Sequence, residues 1–205
     1  ERLLNLEWGW GWTSDQVRWN ANVFWMEFSD ELVKSGQVDL FGQPRTGNAE
    51  RTRHVGLELD GAVGLSQTFQ LSGNMTVSRN RLVRYRVYEQ TGVRTLDGNA
   101  IAGFPDLLGN LRVEYANGGS FAGVSLKYVG PFFTDNEQTT RNRNDAFTVL
   151  NADATHRVEV GGGIAVLLRA AVRKVLNALY TSGGEGEAFF PAAERNYLLG
   201  ITVQY

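Results

Sequence analysis

EWGWGW, residues Glu7–Trp12, places Trp8, Trp10 and Trp12 one residue apart with only glycine between them. On an α-helix these indoles would scatter around the axis; on a β-strand they leave one face in a row. The strand reading extends backwards through Leu6 and Leu4. It also extends forwards, past a short turn at Ser14-Asp15, into Val17, Trp19, Ala21, Val23 and Trp25.

The same period of two recurs along the chain. Apolar rows run through Val55–Val63, Phe69–Val77, Gly109–Tyr115, Ala122–Tyr128, Thr148–Ala154, Val166–Val172 and Tyr197–Tyr205. None of these rows carries a charge. The opposite rows hold Asn5 and Glu7; Arg18, Asn20 and Asn22; Glu58 and Asp60; Asn74; Arg112 and Glu114; Lys127; Asp153; Arg169 and Arg173. Nine strands are expected. One segment is ambiguous: IAVLLRAAVRKVLNALY, residues Ile164–Tyr180, also repeats at three- and four-residue steps and fits a helix by pattern alone. Its setting between strands favours a strand.

Alternation does not say which face meets water. A soluble sandwich turns its apolar row inward; a membrane barrel turns it toward lipid. Strand length favours the barrel, since ten residues tilted ~45° cover roughly 24 Å, close to the apolar band of an outer-membrane wall. The connections alternate in length. Short ones are expected at Ser14-Asp15, Gly64–Gln67, Ala116–Gly119 and Arg157–Gly162. Long ones are expected at Ser29–Arg53, Arg79–Asp106, Gly130–Ala146 and Asn177–Asn196. Short periplasmic turns and long outer loops are the habit of such barrels. NYLLGITVQY, residues Asn196–Tyr205, alternates up to an aromatic residue.

Composition narrows the function classes. Lys+Arg number 20 against 22 Asp+Glu, which gives no pull toward nucleic acid. Cys is 0, so disulfides and cysteine-built metal sites are excluded. No apolar run approaches the ~20 residues of a spanning helix. His54 and His156 are the only histidines, and no nucleophile motif or metal spacing accompanies them. GWGWTS precedes no helix, and Gly161–Gly163 lacks the Lys-Ser/Thr of a phosphate loop. No catalytic, metal or cofactor residue is assigned.

The motifs together resemble one family, the TonB-dependent outer-membrane receptors. ERLLNLEWGW is similar to the family's Glu-x-x-x-Asn-x-Glu-x-Gly strand, and ERTRHVGLELDG to its Gly-x-Glu strand, here Gly56 and Glu58. GFPDLLGNLRVEY resembles the strand that follows a long loop and a proline. TDNEQT with FTVLNADATHRV is similar to the next loop and strand. VRKVLNALYTSGGEGEAFFPAAERNYLLGITVQY resembles the closing Asn-Leu-Phe-Asn/Asp-x-x-Tyr, loop, Pro-Arg and final strand. Lys174 stands where the family has Asn, Glu194 where Pro is common, and Tyr205 where Phe is commoner.

The resemblance implies an all-β fold: an antiparallel transmembrane wall of about nine strands, a fragment of a 22-stranded barrel. Residues 1–205 are read as the C-terminal part, with plug, TonB box and signal peptide absent. The chain does not begin with Met, and Glu1 is read as an internal cut or a processed start. The implied function is active uptake of a scarce nutrient in the bacterial outer membrane, a ferric siderophore first with cobalamin, haem and carbohydrate open, energised through TonB. The expected partners are outer-membrane lipid and lipopolysaccharide, the TonB system through a plug, the barrel-assembly machinery and an imported small molecule, with no nucleic acid. Two other classes stay open: a self-standing small outer-membrane barrel, and a soluble β-domain that binds an apolar ligand.

Candidate residues follow from position. Trp12, Trp19, Trp25, Tyr115 and Tyr128 are expected to form lipid-facing aromatic girdles, while Gly9 and Gly11 leave room on the lumen side. Leu199, Ile201, Val203 and Tyr205 are the expected assembly signal, on the resemblance. Arg79, Arg81, Arg84, Arg86 and Arg94 crowd one long loop with Tyr85 and Tyr88. Parity sends Arg84 and Arg86 to the lumen, where with Tyr88 they are candidates for ligand contact, and Arg79 and Arg81 outward at headgroup height. A solvated loop is the preferred reading of the cluster. Asp135–Glu137 and Thr139–Asp145 are further candidates for ligand contact, with plain polar loop the preferred reading. The mixed charges of the polar rows read as pairs across the wall.

Overall fold

The alternating stretches do become strands, because each can send apolar side chains to one face while its backbone pairs laterally. The computed structural model describes every residue except Gly42, Gln90 and Thr91, and the side chains of all described residues except 36–38, 44 and 89. In chain order the strands are β1 (Arg2–Thr13), β2 (Val17–Val38), β3 (Pro44–Gly64), β4 (Phe69–Arg84), β5 (Arg86–Glu89), β6 (Gly92–Thr95), β7 (Leu107–Asn117), β8 (Ser120–Val129), β9 (Phe132–Phe133), β10 (Arg143–Asn144), β11 (Phe147–Gly161), β12 (Ile164–Arg173), β13 (Thr181–Glu185), β14 (Ala188–Pro191) and β15 (Asn196–Gln204). Nine of them make one sheet in the order β1-β2-β3-β4-β7-β8-β11-β12-β15. Each of the nine expected rows falls on one of these strands, and the order in space is the order in sequence.

The ambiguous segment is a strand. β12 pairs on both sides, with Leu168 opposite His156 of β11 and opposite Ile201 of β15. Two flanking ladders satisfy its backbone, which outweighs the helical period of its side chains. Past Arg173 the backbone turns through positive φ at Lys174 (57°) and Asn177 (50°), which no α-helix accommodates. The tight turn between β7 and β8 shows why glycine is needed there. Gly118 and Gly119 both have positive φ, 52° and 80°, the requirement of a two-residue hairpin loop matched to strand twist.

The long connections depart from expectation. Ser29–Arg53, read as a loop, is largely a continuation of the ladder: Ser29 pairs with Arg51, Leu32 with Asn48 and Lys34 with Thr46. The reason it escaped a period-two reading lies at Asp30, where φ is +60°. Below it, even-numbered residues of β2 line the polar face, with Asn20 donating to Asp60 (3.0 Å) and Asn22 to Glu58 (3.4 Å). Above it Val33, an odd-numbered residue, is buried. The sidedness has switched, so no single parity runs through the element. The neighbouring strands switch too. Thr52 and Ala49 are both buried on β3. Leu82 and Tyr85 are both buried across the end of β4, where the register shifts between Arg51 and Thr52. The other long connections carry the small pairs β5–β6, β9–β10 and β13–β14.

The two faces of the large sheet differ in kind. Large apolar side chains lie bare on one: Trp8 is 68% exposed, Leu199 84% and Ile201 73%. The other carries laterally bonded polar groups, including Asn110 to Asn74 (2.8 Å) and Arg112 to Asp153 (3.0 and 3.1 Å). The compact apolar core is small and sits among the long connections, where Val33, Ala49, Leu82, Tyr85, Leu96 and Ile101 pack together.

Candidate functional site

The aromatic residues named from sequence lie on the apolar face at two levels. Trp12 is registered opposite Trp19 beside the Ser14 turn, and Tyr115 packs at a tilt against Phe69 (5.1 Å between centroids) beside the next short turns. Trp25 and Tyr128 stand toward the long-hairpin end, Trp25 with the Arg53 guanidinium 5.2 Å from its ring. Trp8 and Trp10 lie between the levels, their rings 4.7 Å apart. Leu199, Ile201 and Val203 continue the apolar face on β15, and Tyr205 follows the strand with its side chain fully exposed. Gly9 and Gly11 lie on the polar face, where Gly11 faces the amide of Asn20.

The polar face is a cross-linked ladder. Arg112 on β7 reaches over β8 to grip Asp153 on β11 through both terminal nitrogens, while its Nε donates to Glu114 (2.7 Å). It passes above Gly123, where any side chain would obstruct it: a Cβ there would lie 2.2 Å from Arg112 Nη2.

At the long-hairpin end the connections hold one another. Lys34 of the β2–β3 ribbon meets Glu185 of β13 (3.4 Å), a carboxylate whose side chain is fully buried. The Asn136 side chain bonds the Lys34 carbonyl and accepts from the Ala102 amide (2.9 Å). The Thr134 hydroxyl lies within hydrogen-bond range of the Asn142 (2.9 Å) and Gly186 (2.6 Å) carbonyls. Arg94 pairs with Glu137. Asp135, Asn136, Asn142 and Asn144 are therefore buried structural groups, which corrects their reading as plain polar loop. Their clustered Asn, Asp and Thr was the only signal in the sequence, and it fits a solvated loop equally well.

Arg84 and Arg86 approach the same carboxylate, Glu50, each at 3.8 Å. They flank buried Tyr85, so they point away from the core that Tyr85 and Leu82 share. The parity that assigned them to the lumen is broken by the register shift just before them, and that orientation is corrected. Tyr88 is 73% exposed.

Sequence reading also missed a buried polar cluster just above the apolar band. The His54 ring sits between Phe28 and Phe104 (5.5 and 5.2 Å). Asn80 donates to Ser78 (2.9 Å), which leaves its Oδ1 to accept from His54 Nδ1 (2.8 Å). His54 Nε2 faces Glu31 (3.2 Å), and Glu31 also accepts from the Thr52 hydroxyl. Burial disfavours the imidazolium, but hydrogen bonds to Glu31 and Asn80 and the Glu31 charge outweigh it and raise the His54 pKa. Burial likewise opposes the Glu31 carboxylate, and its bonds to His54 and Thr52 prevail and lower its pKa. Among the described residues no group of three or more His, Cys, Asp or Glu is placed to hold a metal ion.

A nine-stranded antiparallel sheet with bare apolar residues on one face, bonded polar groups on the other and aromatic residues at two heights is the wall of an outer-membrane β-barrel. Residues 1–173 match the TonB dependent receptor-like β-barrel family, and the chain belongs to it. No curated protein matches the chain by sequence. Among solved structures it is similar to BauA, the ferric preacinetobactin receptor of Acinetobacter baumannii, at 17% identity and a TM-score of 0.77, covering 98% of this chain and 29% of that one. It is similar to the siderophore receptor PiuA of the same organism at 16% identity and 0.72, covering 97% and 28%. The ferric yersiniabactin uptake receptor FyuA of Yersinia pestis gives 16% and 0.72, covering 98% and 29%. The chain thus spans less than a third of the length of these receptors.

Proposed function

We propose that the protein to which this wall belongs is an outer-membrane receptor that imports a scarce nutrient, with a ferric siderophore as the leading ligand class and TonB as the source of energy. The observation that carries this is the pairing of two features: a wall with lipid and polar faces, and hairpins tied into a roof at one end. Family membership and the receptors of like fold support it. In this reading the polar face seats a plug, the hairpin end meets the ligand, and no step is enzymatic. Arg84, Arg86 and Tyr88 remain the proposed ligand contacts, now at the hairpin rim rather than in the lumen. The girdle residues contact membrane lipid, and the last strand is the address read by the assembly machinery.

The test is uptake by the complete receptor in iron-starved cells, with a panel of ferric siderophores set against haem, cobalamin and copper, in hosts with and without TonB. TonB-dependent uptake of a ferric siderophore is the expected result. Uptake that persists without TonB refutes the energy source, and uptake of another class alone refutes the ligand class. Unchanged uptake in the Arg84→Ala, Arg86→Ala double variant removes those residues from the ligand site.

A further inference from the structure

The wall carries a concentration of positive charge on its apolar face. At the hairpin end of that face, Arg53 of β3 is registered directly opposite Arg81 of β4, and Arg79 opposite Val55. Arg53 lies over the Trp25 ring, which fixes these residues on the side of the exposed indoles. Like charges directly opposite one another destabilise a sheet unless an anion lies between them. The protein's own anions fall short. Glu27 serves both Arg51 and Arg53, and Arg81 has only a long contact to Asp106 (4.0 Å). Among the described residues Arg79 has no carboxylate within ion-pair distance.

Position names the missing anion. The charges begin where the apolar rows end, at Trp25, Val55 and Val77, which is headgroup height in a membrane. Guanidinium forks match phosphate oxygens in pairs. Further down the same face, Gly61 is registered opposite Gly73, and an apolar depression there is lined by Leu71, Met75, Gly109 and Tyr128. A phosphate anchored by chains in that face stays at the arginines at high effective concentration, which a free phosphate in water does not.

We infer that Arg53, Arg79 and Arg81 form a site on the outside of the wall for the phosphorylated headgroup of an outer-leaflet lipid. The inference rests on the membrane reading above and is independent of the imported nutrient. It is tested on the complete receptor, extracted in mild detergent and examined by native mass spectrometry for retained phosphorylated lipid, with barrel folding checked by heat-dependent gel mobility. Arg79→Gln with Arg81→Gln is expected to retain about thirtyfold less lipid, from the strength of two basic side chains at an anionic lipid surface. Arg79→Lys with Arg81→Lys, which keeps the charge, is expected to retain most of it, and Arg169→Gln on the polar face all of it. Equal retention by folded wild type and the Gln double variant overturns the site. Full displacement of the lipid by excess inorganic phosphate also overturns it, since the site would then be one for a free anion. A receptor that stays in solution without detergent overturns the membrane reading and this site together, whereas a detergent-requiring barrel with unchanged lipid overturns the site alone.

Discussion

Gly123→Ala tests whether the polar face is held by the bridge that crosses β8. Gly123 is buried between Glu114 and Asp153, its registered partners on β7 and β11, and Arg112 passes over it to reach Asp153. A Cβ at 2.2 Å from Arg112 Nη2 and 2.7 Å from Cζ forces the guanidinium aside, because the side chain is the more flexible of the two. Both bonds to Asp153, at 3.0 and 3.1 Å, are then lost. Arg112 and Asp153 are each about 30% exposed, so their bidentate charge-assisted contact is worth about 2 kcal/mol. Replacing glycine by alanine inside a strand returns roughly 0.5–1 kcal/mol. The net expectation is a loss of about 1–1.5 kcal/mol. In an Arg112→Leu background the obstruction has nothing to obstruct, and the same change is expected to be neutral or stabilising by about 0.5 kcal/mol. The coupling in a double-mutant cycle is therefore about 2 kcal/mol. The assay is urea unfolding of the complete barrel in lipid vesicles, followed by tryptophan fluorescence. A coupling below about 0.5 kcal/mol, with Gly123→Ala equally harmful in both backgrounds, refutes the reasoning.

Gly56→Ala is expected to cost more, about 3 kcal/mol, in the same unfolding assay, because its Cβ would meet the Val77 carbonyl and the Phe24 ring, both at 2.6 Å, and backbone does not yield; a loss under about 1 kcal/mol would show that the strands can part there. The His54–Glu31 pair predicts a pH window for the base of the β2–β3 ribbon. The raised His54 pKa contributes stability that is full below the ordinary imidazole value of 6.5 and lost as pH rises through the folded value. The lowered Glu31 pKa contributes stability that is full above 4.5 and lost as pH falls through its folded value. Limited proteolysis of the ribbon should therefore be slowest between those two values and faster as pH rises above 6.5 through the raised His54 value, and His54→Asn should abolish the alkaline limb. Deletion of Tyr205 from the complete receptor should reduce the amount of folded barrel in the outer membrane, measured by heat-dependent mobility; normal assembly without it would remove the address role.

Much of the wall was legible in the sequence. Side-chain alternation is a local property of an extended backbone, so Trp8, Trp10 and Trp12 declare their shared face without knowledge of any partner strand. The same holds for rows such as Leu199, Ile201 and Val203, and for the glycines that turn the chain at 118 and 119. What alternation cannot carry across is a change of hand. One positive φ at Asp30 and one register shift beside Arg51 reversed the sidedness of the hairpin end. They concealed a ribbon inside an expected loop and turned Arg84 and Arg86 away from the side on which parity had placed them. Tertiary structure alone decided the contacts between residues distant in the chain. These include Arg53 set opposite Arg81, Arg112 laid over Gly123 to Asp153, Lys34 reaching Glu185, and β12 held as a strand by neighbours on either side. Each depends on register, which is set by pairing between strands, whereas the period of two belongs to each strand alone.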